Sequence, residues 1–229
     1  MTIAADLPDG SRQPRQYSLS QAPTGGTLRF TVRRVRGSGG APDGMVSGYL
    51  HGQVRSGDRM RLSHPYGDLT LRGSTAPLVL VRARVGITPM AAILDHVART
   101  QPTRQVTTVH ADRNPERHPL RLDMAGRGAR LASFTTFVWY EQASDAPGAY
   151  QGFVDTDVIP LHPDADVYLC GPVPFMQTVR GRAAPPWVER PPDPLRGLRL
   201  RTVAPHPKAR DGPIGHHGLN ATSRENRPH

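Results

Sequence analysis

The stretch Pro77 to Arg99, PLVLVRARVGITPMAAILDHVAR, decides how this chain is read. It opens with Leu78-Val79-Leu80-Val81, a continuous apolar run of the kind that forms a strand buried on both faces. A short loop follows, from Arg82 to Ile87. Thr88-Pro89 then has the form of a helix start, with threonine as N-cap and proline at the first helical position. Met90, Ile93, Leu94 and Val97 recur at helical spacing and make one apolar face. Strand, tight loop and helix together aim backbone N–H groups and a positive helix end at an anion, typically a phosphate. The pattern alone leaves a phosphate site and a plain structural unit equally open, because the loop is poor in glycine.

Bulk properties narrow the class. With 229 residues the chain holds one large domain or two small ones. A single cysteine rules out an internal disulfide and fits a reducing compartment. No apolar run reaches the roughly 18 residues of a membrane span, and the residues after Met1 carry no signal-peptide pattern, so the expected compartment is the cytoplasm. The formal charge is +10, but residues 181–229 hold nine basic and four acidic side chains, which is half of that excess. The basic residues lack interleaved aromatics, which argues against a nucleic-acid partner.

Further along the chain two other stretches carry ligand chemistry. Arg15-Gln16-Tyr17-Ser18 lies in a segment with strand-like alternation, Tyr17 and Leu19 on one face and Gln16 and Ser18 on the other. An arginine, an aromatic and a hydroxyl placed so suit an aromatic ligand bearing a phosphate, although the residues alone favour an edge strand with an ordinary surface arginine. Near the end, the strand-like Asp166-Val167-Tyr168-Leu169 runs into Cys170-Gly171-Pro172-Val173-Pro174-Phe175-Met176. Glycine there permits close backbone approach, and proline starts the next helix.

These three strings, in this order, resemble the signatures of the ferredoxin–NADP reductase superfamily, and most closely the reductase module of flavohemoproteins. The resemblance implies that Arg15, Gln16, Tyr17 and Ser18 bind FAD, with Arg15 on its phosphates and Tyr17 and Ser18 facing the isoalloxazine. It makes Ser47 a candidate at the FAD pyrophosphate. It implies that Arg84, Val85, Gly86, Ile87, Thr88 and Pro89 hold the pyrophosphate of NAD(P)H, and that Cys170, Gly171 and Pro172 lie in the nicotinamide turn. The implied activity is hydride transfer from NAD(P)H to FAD, with electrons leaving singly to a haem in a globin domain that this chain lacks, as in nitric oxide dioxygenases. No residue is assigned as a nucleophile, and no histidine or cysteine spacing suggests a metal site. The alternative is a non-catalytic NAD(P)-binding remnant of a degraded gene.

The expected architecture is α+β then α/β. An incomplete antiparallel flavin-binding β-barrel spans residues 1–75, a parallel-sheet nucleotide-binding domain spans 76–180, and a disordered Pro/Arg-rich tail spans 181–229. Within it, Thr27–Val32 is expected as a strand, Met45–Val54 as a helix, Gln105–Ala111 and Phe134–Gln142 as strands, Pro119–Ala132 as an interrupted helix, and Gly152–Asp155 as the start of a short helix. The sequence also departs from the family pattern. Arg82 and Arg84 replace a serine and a glycine, so the Arg84 Cβ is expected to crowd the pyrophosphate. The barrel start is short by roughly two or three strands. The family's terminal Glu-Val-Phe-Gly is absent, yet Asp193–Arg199 can be encoded so that a one-base shift spells it, which makes the tail compatible with a frameshift. At the end of the second α/β strand, Asp112 suits ribose hydroxyls and Arg113 suits a 2′-phosphate, so NADH and NADPH both remain open.

Overall fold

The computed structural model describes residues 1–142, 145–181, 199–202 and 215–216. The described residues divide into two compact units, one of residues 1–19, 23–67 and 215–216, the other of 20–22, 68–142, 145–181 and 199–202.

The first unit is antiparallel. Strand β1 (Thr2–Asp6) pairs with β2 (Arg12–Gln16) through a turn closed by Leu7 N–H to the Ser11 carbonyl. Helix α1 (Met45–Gly52) follows, with Val46 buried against Ala5 and Leu7. Strand β3 (Arg61–Leu62) lies on the other side of β1. Met1, Ile3 and Leu62 form a small core with Tyr17, Leu19, Leu28 and Phe30 packed on it. The strand expected over Thr27–Val32 is reduced to isolated bridges, Leu19 to Phe30 and Thr24 to Thr27. Its apolar side chains reach the core, but a strand needs a continuous neighbour for its backbone, and alternation alone does not supply one.

The second unit is an α/β sheet. Strand β4 (Leu78–Ala83) is entirely buried, then α2 (Ile87–Thr100), β5 (Val106–Asp112), α3 (Arg121–Gly128), β6 (Phe134–Tyr140), the short β7 (Tyr150–Gln151), β8 (Asp166–Cys170) and α4 (Val173–Val179) follow. A ninth strand, β9 (Arg199–Thr202), completes a parallel sheet of order β7-β6-β5-β4-β8-β9. Leu78 and Leu80 face α2, whose Met90, Ile93, Leu94 and Val97 are buried against them. Val79 and Val81 face the other layer with Val109, Trp139, Val167 and Leu169. Each such side chain contributes about 1.5–3 kcal/mol relative to exposure.

Buried polar contacts fix this unit. Arg104 pairs with Asp166 at 3.0 Å and donates to the Ala76 carbonyl at 2.6 Å. Arg127 donates to the Ser20 and Ala91 carbonyls, and Asp95 accepts the Ala22 N–H, which anchors residues 20–22 against α2 and α3. The units divide at Gly67 rather than after residue 75, because Leu69 and Leu71 pack on the α2-side core and Tyr168 bonds Thr70 and Arg72.

Two further expectations change. No helix follows Gly152, where the backbone turns with φ +98° and continues irregularly. The tail was expected without structure, yet β9 pairs with β8, and β10 (Gly215–His216) pairs with β3. The open edges of β8 and β3 offer unpaired backbone groups, and a short extended segment satisfies them. The rest of residues 182–229 lies outside the described residues, as does any frameshift there.

Candidate functional site

Sheet order places the site. The chain leaves β4 for β5 and β6 on one side and returns to β8 on the other, so the switch point lies at the carboxyl ends of β4 and β8. Open α/β sheets bind ligands at that crevice. The two loops emerging there are Arg84–Gly86 and Cys170–Pro172, the two strings that the sequence singles out.

They touch. A Cβ on Gly86 would collide with the Cys170 carbonyl and stand 2.9 Å from Gly171 N. Gly86 has φ −60°, so close approach and not backbone handedness demands glycine there. A Cβ on Gly171 would fall 2.7 Å from the Phe175 ring and 3.2 Å from the Ala83 Cβ.

The first loop differs in detail from its expected form. Residues 84–86 make one 3₁₀ turn, and α2 begins at Ile87 with Gly86 as its N-cap. Thr88 is therefore the second helical residue and Pro89 the third. The Thr88 hydroxyl donates to the Val85 carbonyl at 3.0 Å, tying the turn to the helix. The helix starts earlier because the 3₁₀ turn supplies the bend that a threonine cap would otherwise make. Val85 is exposed at the tip, while Ile87 and Thr88 are buried. Arg84 adopts φ +51°, the left-handed conformation that glycine takes most readily. Its guanidinium reaches Glu141 Oε1 at 3.5 Å.

In the second loop, Cys170 is half-buried and burial pushes its thiol up to about 12. That direction favours the neutral thiol at neutral pH. Pro172 is the N-cap of α4, extended at ψ 146°. The helix ends at Val179, and Gly181 at φ +68° closes it by donating to the Thr178 carbonyl.

Behind the first loop lies a buried basic cluster that sequence reading missed. Arg82 continues β4 on the same face as Leu80 and pairs in register with His110 of β5 and Cys170 of β8. It is 1% exposed, and its Nε and Nη1 have no partner. Burial pulls it down to about 9. The His118 ring stacks on His110 at 3.7 Å and shares a hydrogen bond of 2.9 Å with the Tyr140 hydroxyl. Burial, then the neighbouring charges of His110 and Arg82, push His118 down to about 2. Burial and the Arg82 cation also hold His110 well below its usual range. The available signal was an arginine placed directly after four apolar strand residues.

The first unit holds the remaining candidates. Arg15 and Ser18 are exposed, as is Gln16. The Arg15 guanidinium donates locally, to the Pro14 carbonyl at 2.7 Å and weakly to Gln13 Oε1. Tyr17 is half-buried and stacks on Phe30 at 6.1 Å between ring centres. Ser47 is buried in α1, where its hydroxyl accepts the Val35 N–H and donates to the Gly44 carbonyl, both at 3.0 Å. Ser47 thus serves the local loop in this conformation.

These residues fit the implied groups unevenly. An exposed guanidinium at Arg15 fits a pyrophosphate. The first turn of α2, opening at the switch point beside Gly171, fits a second one. No set of three or more His, Cys, Asp or Glu side chains among the described residues is placed to hold a metal, and no helix among them is long and apolar enough to cross a membrane.

Known proteins agree with this geometry. A family model described as oxidoreductase NAD-binding domain matches residues 80–181. The flavohemoprotein of Bordetella pertussis (strain Tohama I) is 42% identical over 181 residues, covering 75% of this chain and 44% of its own length. The chain therefore spans less than half of that curated relative. Among solved structures, the flavohem-like FAD/NAD binding domain of nitric oxide dioxygenase from Vibrio cholerae superposes with a TM-score of 0.74 at 32% identity, covering 89% of this chain and 83% of that one. The flavohemoglobin of Malassezia yamatoensis, solved with bound FAD and heme, gives a TM-score of 0.67 at 26% identity over 89% of this chain and 50% of that one.

Proposed function

We propose, from the premise that this chain belongs to the flavohemoprotein family as a reductase module of the ferredoxin–NADP reductase type, that it is an FAD-dependent NAD(P)H oxidoreductase. When bound, the nicotinamide supplies a hydride and the flavin accepts it, the cofactors carrying the redox chemistry. The protein's part is to hold and orient. The backbone of Arg84 to Pro89 receives the dinucleotide pyrophosphate at the start of α2. Cys170, Gly171 and Pro172 line the nicotinamide turn, where a neutral thiol adds no charge beside the ring. Arg15 pairs with the FAD pyrophosphate, Gln16, Tyr17 and Ser18 lie along the flavin, and Ser47 steadies the loop before α1. The electron acceptor in this reading is a haem-bearing globin outside this chain, and the larger reaction is nitric oxide dioxygenation.

One observation carries the reading: Gly86 packs on the backbone of Cys170 and Gly171, joining two distant signature loops at the switch point. A second reading, dinucleotide binding without flavin chemistry, is favoured by Tyr17, whose ring stacks on Phe30 within the small core. A visible spectrum of the purified chain mixed with FAD separates the two. Protein-bound flavin bands that bleach on anaerobic addition of NADH or NADPH are expected. A colourless protein that still binds either nucleotide would establish the second reading, and one that binds neither would end both.

A further inference from the structure

Three buried side chains of the second unit meet with their nitrogens unsatisfied. Arg82 and His110 are partners in the β4–β5 register, so their side chains leave the sheet side by side on one face. The His118 ring stacks on His110 with ring centres 3.7 Å apart. The three residues are 1%, 0% and 9% exposed. Arg82 Nε and Nη1, both His110 ring nitrogens and His118 Nε2 are enclosed and have no hydrogen-bond partner. Native interiors leave few such groups unpaired, and several in one cluster call for a bound water or ion.

Charge decides between the two. Arg82 keeps its proton at neutral pH, since burial pulls it down only to about 9. Burial holds both histidines below their usual range, so each neutral ring carries one N–H. In the tautomer that accepts the Tyr140 hydrogen at Nδ1, His118 presents that N–H at Nε2. The acid that approaches the cluster is turned elsewhere: Asp112 Oδ1 accepts the Arg113 N–H at 2.8 Å, and its Oδ2 stands 3.7 Å from His110 Nε2. Among the described residues no carboxylate forms an ion pair with Arg82. On its other side is Cys170, its register partner on β8, whose thiol burial keeps in the neutral form. A water would satisfy the N–H groups but leave the buried charge uncompensated, which is the costlier defect.

We infer that Arg82, with the N–H groups of His110 and His118, holds a small monovalent anion of the halide class, chloride in ordinary buffers, inside the second unit. One guanidinium and two neutral rings match a single charge. A phosphate monoester brings nearly two charges and three acceptor oxygens, more than this cluster answers. The position is enclosed, unlike the open crevice between the two signature loops, and the inference does not depend on the dinucleotide reading. Without the anion Arg82 is an uncompensated buried cation. In halide-free buffer Arg82→Met is therefore the more stable chain, and chloride narrows the difference.

Thermal unfolding of the full chain at neutral pH tests this, with chloride replacing gluconate at constant ionic strength so that screening stays fixed. Gluconate is too bulky for an enclosed site. The melting temperature of the parent chain should rise with chloride, the unfolding constant falling about tenfold for each tenfold of chloride above its Kd. In Arg82→Met that dependence should vanish. A parent chain indifferent to chloride would overturn the anion and leave a water in its place. An equal rise in parent and variant would overturn it as well, because chloride would then act elsewhere. Bromide-soaked crystals of the parent chain give a readout that does not depend on how the variant folds. An anomalous peak against Arg82 Nε and Nη1 is expected, and its absence would overturn the site.

Discussion

Gly86 rests on the peptide that joins Cys170 to Gly171, and that contact couples the loop after β4 to the loop after β8. The neighbours of a Gly86 side chain would be backbone atoms, which cannot swing aside as the tip of a long side chain can. Gly86→Ala should therefore lower folding stability by about 1–3 kcal/mol, the usual range for overpacking. Because Gly86 has φ −60°, none of that loss comes from backbone handedness. Urea denaturation measures it, and an unchanged midpoint would mean the two loops are not packed as described.

Arg84 poses the opposite case. Its φ of +51° costs roughly 1–2 kcal/mol for a residue bearing a Cβ. Its exposed pair with Glu141 returns little. Arg84→Gly should raise the melting temperature by a few degrees, on the order of 1 kcal/mol. Arg84→Ala keeps the Cβ and should show no such gain. Equal stabilisation by the two substitutions would refute the strain account. With the Cβ gone, the dinucleotide should also bind the glycine variant more tightly, which calorimetry measures.

How far the sequence carries depends on whether the signal is local. The buried strand β4, the apolar face of α2 and the two switch-point loops each announce themselves in a few consecutive residues, so they are legible. The start of α2 is not. A 3₁₀ turn with a left-handed arginine has no sequence signature, and Thr88 looks like a cap although it lies inside the helix. Arg82 reads as loop because it is charged, yet the ladder to β5 and β8 carries the strand through it. The failure over Thr27–Val32 has the same root, since pairing partners are non-local and alternation does not reveal them.

Arg82 itself should be a liability. Its guanidinium is pulled down to about 9 by burial, and two of its nitrogens lack partners. Such a shift corresponds to a cost of several kcal/mol at neutral pH, at about 1.4 kcal/mol per unit. Arg82→Met retains most of the volume and removes the charge, so it should stabilise the chain by about 1–4 kcal/mol. Urea midpoints decide it, and a lower midpoint in the variant would mean that an anion or water holds the guanidinium.

The same cluster sets the response to acid. His110 is held well below 6.5 and His118 down to about 2, in both cases by burial first and by the Arg82 cation among the later causes. Both rings stay neutral in the folded chain while the unfolded chain takes up protons below pH 6.5. The unfolded state then binds more protons, so stability is full above pH 6.5 and falls as the pH drops toward the folded values. The slope approaches 1.4 kcal/mol per pH unit for each histidine. Asp112 runs the other way, because burial raises its carboxyl above 3.8, and its stabilising contribution is lost as pH rises through that folded value. Comparing variants at matched pH largely removes it. Melting temperatures recorded from pH 7.5 down to 5 should fall steadily. In Arg82→Met the decline should be shallower, because the histidines lose a repelling neighbour and accept protons at less acid pH. A parent chain whose melting temperature is flat across that range, or a variant with the same slope as the parent, would show that the stacked pair does not govern acid stability.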